Sequence, residues 1–118
     1  MKNLSNSVTL IGYAGGDPAL NEFDKGGKLC SFSLAQSESY TNQKGERVER
    51  THWFRVVAWN HLASHVDQTV KKGSMVIVLG KLVNRTYTNK EGEKRSITEV
   101  VAEEVLSVSL KGQEAIAA

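Results

Sequence analysis

Val48-Glu49-Arg50-Thr51-His52-Trp53-Phe54-Arg55-Val56-Val57-Ala58-Trp59 runs straight into Asn60-His61-Leu62-Ala63-Ser64-His65-Val66-Asp67-Gln68-Thr69-Val70, and the change of period between the two decides the fold. In the first segment alternate residues differ in character. Phe54, Val56 and Ala58 fall on one side and Trp53, Arg55, Val57 and Trp59 on the other, as in a strand with one core face. In the second segment Leu62, Val66 and Val70 recur every fourth residue, which suits one short helix. Asn60 is placed to cap its start and Gly73 its end.

Outward from this junction the chain reads as strands. Val8-Thr9-Leu10-Ile11-Gly12 is β-branched and apolar, and Gly15-Gly16-Asp17-Pro18 ends it in a turn. Gly26-Gly27 opens an alternating stretch, Lys28 to Ala35, in which Cys30, Phe32 and Leu34 face one way. Beyond the helix, Met75 to Leu79 is a continuous apolar run, consistent with a strand buried on both sides. Arg85–Thr88 and Arg95–Ala102 read as a hairpin, and Val105 to Leu110 as a last short strand. Three strands, one helix and two strands make an all-β protein. The order fits the five-stranded Greek-key barrel called the OB-fold, with its one short helix between strands 3 and 4. A small β-sandwich is the competitor, and the lone helix in that position favours the barrel. Residues 1–111 are expected to form this domain and residues 112–118 a short disordered end.

Composition narrows the class. A chain of 118 residues is one domain by size and can bury an apolar core without disulfides or a metal. No apolar run approaches the roughly 20 residues of a membrane helix. The first six residues carry no long apolar h-region, which argues against a secretory signal. With Cys30 as the one cysteine, no internal disulfide forms, and its alternating neighbours make it a buried structural thiol. The expected compartment is the cytoplasm. Net charge is only +2, but it is unevenly spread: residues 1–90 hold 12 Lys/Arg against 7 Asp/Glu, and residues 91–118 hold 3 against 6. The positive excess lies with the aromatics, as a polyanion partner requires.

The side of the third strand that carries Arg55 also carries Trp53 and Trp59. Were that side the core, Arg55 would be buried and would need a partner for its charge. Facing solvent, the two indoles cost hydrophobic free energy unless a ligand covers them. Flat aromatics interleaved with cations are what a single-stranded nucleic acid needs: bases stack on the rings and cations track the phosphates. A tryptophan on a strand is ordinarily core, and Trp53 alone reads that way. Arg55, Trp59 and two tyrosines tilt the reading toward binding. Those tyrosines open a duplicated motif, Tyr40-Thr41-Asn42-Gln43-Lys44-Gly45-Glu46-Arg47 and Tyr87-Thr88-Asn89-Lys90-Glu91-Gly92-Glu93-Lys94. Asn and Gly there are good turn residues, so each copy reads as a hairpin loop. Turn chemistry leaves the tyrosines unexplained.

Arg55, Lys72, Arg85 and Arg95 are the leading phosphate contacts, with Lys44, Arg47, Lys81 and Lys94 behind them. For any one of them a solvated surface charge is an equal reading. No phosphate-cradling glycine loop is present, since Gly27-Lys28 would need glycine where Glu22 stands. His61 and His65, with Asp67 nearby, read as exposed helix residues rather than metal ligands. Nothing signals a catalytic triad. No enzyme, cofactor or metal is expected.

The ordered set Asn6–Gly12, Asp17-Pro18, Phe32–Ala35, Thr51–Val57, Lys72–Ser74, Val78–Leu82, Arg85–Tyr87 and Thr98–Ala102 resembles the bacterial single-stranded DNA-binding protein family over about residues 6–110. The resemblance implies an OB-fold, usually a homotetramer, that coats and protects single-stranded DNA in replication, recombination and repair, in the cytoplasm with the nucleoid. It implies stacking at Tyr40, Trp53, Trp59 and Tyr87, where the family often has Trp at the two tyrosines and Phe at the end of the third strand. It implies a subunit interface around Val8 to Ile11. Ser7, Asn21 and His61 depart from positions that are basic in many members, which weakens part of the phosphate track. Members usually end in a flexible linker and an acidic tip finishing in Phe. Gln113-Glu114-Ala115-Ile116-Ala117-Ala118 lacks these features, so a short form without tail-mediated recruitment of replication and repair proteins is the expectation. Two other functions stay open: a protein-interaction OB module, or an RNA-binding one, of a mobile element or primosome.

Overall fold

The computed structural model describes residues 5–108, in the order β1 (Val8–Ala14), β2 (Ala19–Glu22), β3 (Lys28–Thr41), β4 (Arg47–Trp59), α1 (Asn60–Thr69), β5 (Met75–Thr88) and β6 (Lys94–Val108). Five long strands close a barrel in the spatial order β1-β5-β6-β4-β3, with β3 returning to β1. All neighbours are antiparallel except β4 and β6, which run parallel through Val56↔Val100 and Val57↔Val101. This is the expected OB barrel, with α1 between the third and fourth barrel strands. The expected strand Met75–Leu79 and first hairpin arm Arg85–Thr88 are one continuous strand. Arg95–Ala102 likewise continues to Val108, and Leu110 and residues 112–118 lie outside the described residues. The short β2, which pairs only with β3, had no alternation to announce it.

The core follows the period-2 pattern. Leu10 and Ala14 of β1, Cys30, Phe32 and Leu34 of β3, Val56 and Ala58 of β4, and Val76 and Val78 of β5 all point inward. On β6 the inward set changes from Val105 to Ala102 and Val100, because a bulge at Leu79/Gly80 shifts the register there. Closure depends on Gly12. A Cβ at that position would run into the Ala35 carbonyl oxygen, so only glycine lets β1 cross β3 this closely. Helix α1 lays Ala63 and Val66 on the barrel, and both are fully buried. The Cys30 thiol is also buried, and desolvation raises its pKa, as suits an unreactive structural thiol.

Two helix signals work differently from their sequence reading. Trp59, not Asn60, is the N-cap residue, and no side chain caps the helix. Asn60 has φ 57°, a left-handed turn that Asn tolerates, and it swings the chain sharply from β4 into α1. Its Oδ1 consequently faces β3, 3.4 Å from the Lys28 backbone N–H. The C-cap is Val70, and Gly73 belongs to the next turn, where its N–H donates to the Ala14 carbonyl at 2.9 Å. Among the described residues no helix is long and apolar enough to cross a membrane.

Candidate nucleic-acid interface

Strand register assembles the outer face. Val57 lies beside Val101 across the parallel β4–β6 pair, so odd-numbered residues of the two strands share a side. On β5 the partners Val83↔Glu99, Arg85↔Ile97 and Tyr87↔Arg95 extend that side. Trp53, Arg55, Trp59, Arg85, Tyr87 and Arg95 therefore belong to one continuous surface. Trp53 is 62% exposed and Trp59 47%, whereas Val57 between them is buried beneath its neighbours. A groove of about 410 Å³ runs across the centre, floored by Val57 and Val101 and walled by Trp59, Arg55 and Arg85.

Glu99, which no local sequence pattern marks, organises that groove. It is only 6% exposed. Arg55 Nε donates to its Oε2 at 2.6 Å, and Arg85 donates through Nη2 to Oε2 at 3.1 Å and through Nε to Oε1 at 3.3 Å. One carboxylate thus orients two guanidinium groups whose side chains stay about half exposed, Arg55 at 42% and Arg85 at 51%. The Arg85 hydrogen bond, chiefly, holds the Glu99 carboxyl below the ordinary carboxylate range, against the opposing pull of burial, and Arg55 adds to the effect. Arg85 is raised in turn by the same hydrogen bond. Arg55 does have a partner for its charge, but it finds that partner on the outside of the barrel.

Trp53 depends on a glycine. Its indole lies over the β1–β2 turn, and a Cβ on Gly15 would come within 2.6 Å of the ring. The Gly15 N–H donates to the Ser33 carbonyl at 2.8 Å, which holds the turn against β3. Ser33 is also the strand partner of Arg55, so turn, indole and guanidinium are fixed to one another. Lys72 sits beyond α1, and its backbone N–H donates to Asp17 Oδ1 at 2.9 Å, close to the cleft that Asp17 lines with Trp53 and Arg55.

The duplicated motif makes the same turn twice. Asn42 Oδ1 accepts from the N–H groups of Lys44 and Glu46, both at 2.9 Å, and Asn89 Oδ1 accepts from Glu91 and Glu93, again at 2.9 Å. Gly45 and Gly92 take φ of 79° and 81°. The Asn and Gly positions are therefore turn chemistry. Each tyrosine also meets an arginine, with Arg50 Cζ 5.4 Å from the Tyr40 ring centroid and Arg85 Cζ 5.8 Å from that of Tyr87.

The structure does not gather all four expected aromatics on one side. Ala35 pairs with Trp53 and Val48 with Tyr40, so Tyr40 falls on the even-numbered face of the β3–β4 ribbon. Its neighbours there are Arg50, whose Nη2 lies 3.2 Å from the Tyr40 hydroxyl, and the His52–Glu38 pair at 3.0 Å. Arg95 faces the groove side but spends part of its charge on Glu93 at 2.9 Å, an exposed pair of small energetic weight. No group of three or more metal-ligating side chains converges among the described residues.

A profile of the Single-strand binding protein family matches residues 5–108. The chain is 38% identical over 100 residues to the single-stranded DNA-binding protein of Neisseria meningitidis serogroup A, covering 85% of this chain and 58% of that protein. It is 39% identical over 107 residues to single-stranded DNA-binding protein 1 of Chlorobaculum tepidum, covering 90% and 66%. The chain thus spans 58% and 66% of the length of these two relatives. Among solved structures, a Plasmodium falciparum SSB complex with ssDNA matches 92% of this chain and 98% of its own with a TM-score of 0.82 and 27% identity.

Proposed function

Because the chain belongs to the single-strand binding protein family, we propose that its outer barrel face binds single-stranded DNA without sequence preference. The observation that carries this reading is the Trp53–Arg55–Trp59 row, with two exposed indoles and between them a guanidinium that Glu99 holds in place. Bases stack on the indoles and on Tyr87. Arg55, Arg85 and Arg95 lie along the same face to take phosphates, and Lys72 extends the track past Trp53. Every base has a π-face, so stacking tolerates any sequence. Phosphate neutralisation releases counterions and makes affinity fall with salt. The protein coats and protects exposed strands during replication, recombination and repair, in the cytoplasm with the nucleoid, and catalyses no step.

The chain works as a homotetramer in this reading. Support comes from a second outer face. Ile11 of β1, 53% exposed, pairs with Ile77 of β5, which pairs with Leu106 of β6, also exposed. A row of large apolar side chains across three strands costs free energy in water and is relieved by a partner copy. Light scattering at micromolar concentration tests it: a four-subunit mass supports the assembly, and a monomer defeats it.

Anisotropy of a dye-labelled oligothymidine tests the binding itself. The expected result is a saturable rise, reversed by unlabelled single strands of any sequence and weakly by duplex. Preferential reversal by matched RNA would transfer the function to RNA. No rise at low salt, with the protein still folded, would point to a protein-docking face instead.

A further inference from the structure

Phe23 belongs to neither the barrel core nor any position assigned above. It sits in the β2–β3 turn, where its N–H donates to the Gly27 carbonyl at 2.8 Å and its carbonyl accepts from Gly26 at 2.9 Å. Phe23 is 48% exposed. Its ring stacks on Trp59, with centroids 6.4 Å apart and planes inclined by 29°. Trp59 is the last residue of β4 and a wall of the central groove. The two rings together carry exposed aromatic surface from the groove onto the β2–β3 turn.

We propose that Phe23 is a further stacking position for the nucleic-acid strand, extending the platform from Trp59 onto the β2–β3 turn; the proposal rests on the single-strand binding reading given above. Three features carry it. The ring is continuous with a platform residue through direct contact. Its turn is fixed by two backbone hydrogen bonds, so little ordering cost is left for the moment of binding. A phenyl ring also makes no hydrogen-bond demand on a base, which suits a sequence-tolerant site. Charge is balanced in the surrounding sequence: Glu22 and Asp24 adjoin Phe23, Lys25 and Lys28 follow, and the Lys28 ammonium donates to Ser64 Oγ at 3.1 Å. Phe23 therefore acts through stacking rather than counterion release, and its loss lowers affinity without changing the salt dependence.

The competing role is packing alone, with Phe23 merely covering one edge of Trp59. Phe23→Leu separates the two, since it keeps apolar bulk beside Trp59 and removes the π-face. Stacking predicts about five- to tenfold weaker binding of an oligothymidine long enough to saturate the wild type, with an unchanged salt slope. Packing predicts unchanged affinity, which overturns the proposal. A second measurement places the only indole at the site, by combining Phe23→Trp with Trp53→Phe and Trp59→Phe so that the other positions stay aromatic. Emission quenched on binding supports contact. Emission unchanged while anisotropy reports a bound strand overturns it. A wild-type chain that binds no oligonucleotide removes the parent reading and this one together, whereas wild-type binding with a silent position 23 removes this one alone.

Discussion

Arg55 Nε lies 2.6 Å from Glu99 Oε2, the oxygen that also receives Arg85 at 3.1 Å. Two cations of the interface therefore share one buried anion, and the groove carries a net charge of one from three groups. Planar guanidinium groups are held in fixed orientation at the cost of half their combined charge. Glu99→Gln keeps a hydrogen-bond acceptor of the same size and restores that charge. The expected outcome is tighter binding of oligothymidine at low salt and a steeper decline with salt, by up to about 0.7 in the slope of log K against log salt. Titrations at several salt concentrations check it. An unchanged slope would mean that the pair does not meet phosphate.

The same carboxylate gives a pH dependence of known sign. Its folded pKa lies below the ordinary carboxylate value, chiefly through the Arg85 hydrogen bond. Its stabilising contribution is therefore fully present above the unfolded value of about 4.3 and is lost as pH falls through the lower folded value. Denaturant melts from neutral pH downward should show the wild type losing its advantage over Glu99→Gln only below about pH 4.3. A gap that closes nearer neutrality would contradict the ion-pair assignment.

Single truncations should rank the aromatics by face. Trp53→Ala and Trp59→Ala are expected to cost about 1–3 kcal/mol each in oligonucleotide affinity, with little change in the salt slope. Tyr40→Ala should cost less than Trp53→Ala, because register puts Tyr40 on the other side of the β3–β4 ribbon. Equal losses would require the strand to wrap both sides of that ribbon.

Gly15→Ala probes the placement of Trp53 without touching the indole itself. The added methyl would stand 2.6 Å from the present ring position, so the exposed ring must move. Stability should change by no more than about 0.5 kcal/mol, as for a surface substitution. Affinity should fall toward that of Trp53→Ala. Wild-type binding in this variant would show that the indole has freedom to spare.

Much of the fold and of the outer face is legible in the sequence. The alternation from Trp53 to Trp59 announces a two-sided strand, because successive side chains of a strand must point opposite ways. The paired Asn42 and Asn89 turns repeat in sequence because they repeat the same hydrogen bonds. Glu99 was hidden for a physical reason. Its partner Arg55 is 44 residues away and reaches it only through the parallel β4–β6 contact, which no local pattern encodes. Tyr40 joins Trp53 in the sequence reading through the duplicated loop motif and the family resemblance, neither of which carries strand register. Separating them takes the hairpin register Ala35↔Trp53, which is set by the length of the intervening turn. Asn60 has the residue type of a cap, but its left-handed backbone aims the side chain at Lys28. Phe23 stood in a turn with no periodicity to mark it.

The central claim is that the exposed indoles are a stacking platform for single-stranded DNA. Tryptophan fluorescence of the intact chain, titrated with oligothymidine at low salt, tests it most directly, since Trp53 and Trp59 are the two indoles of the chain. The account predicts strong, saturable quenching that is reversed as salt is raised. Emission that stays unchanged at saturating oligonucleotide would contradict it.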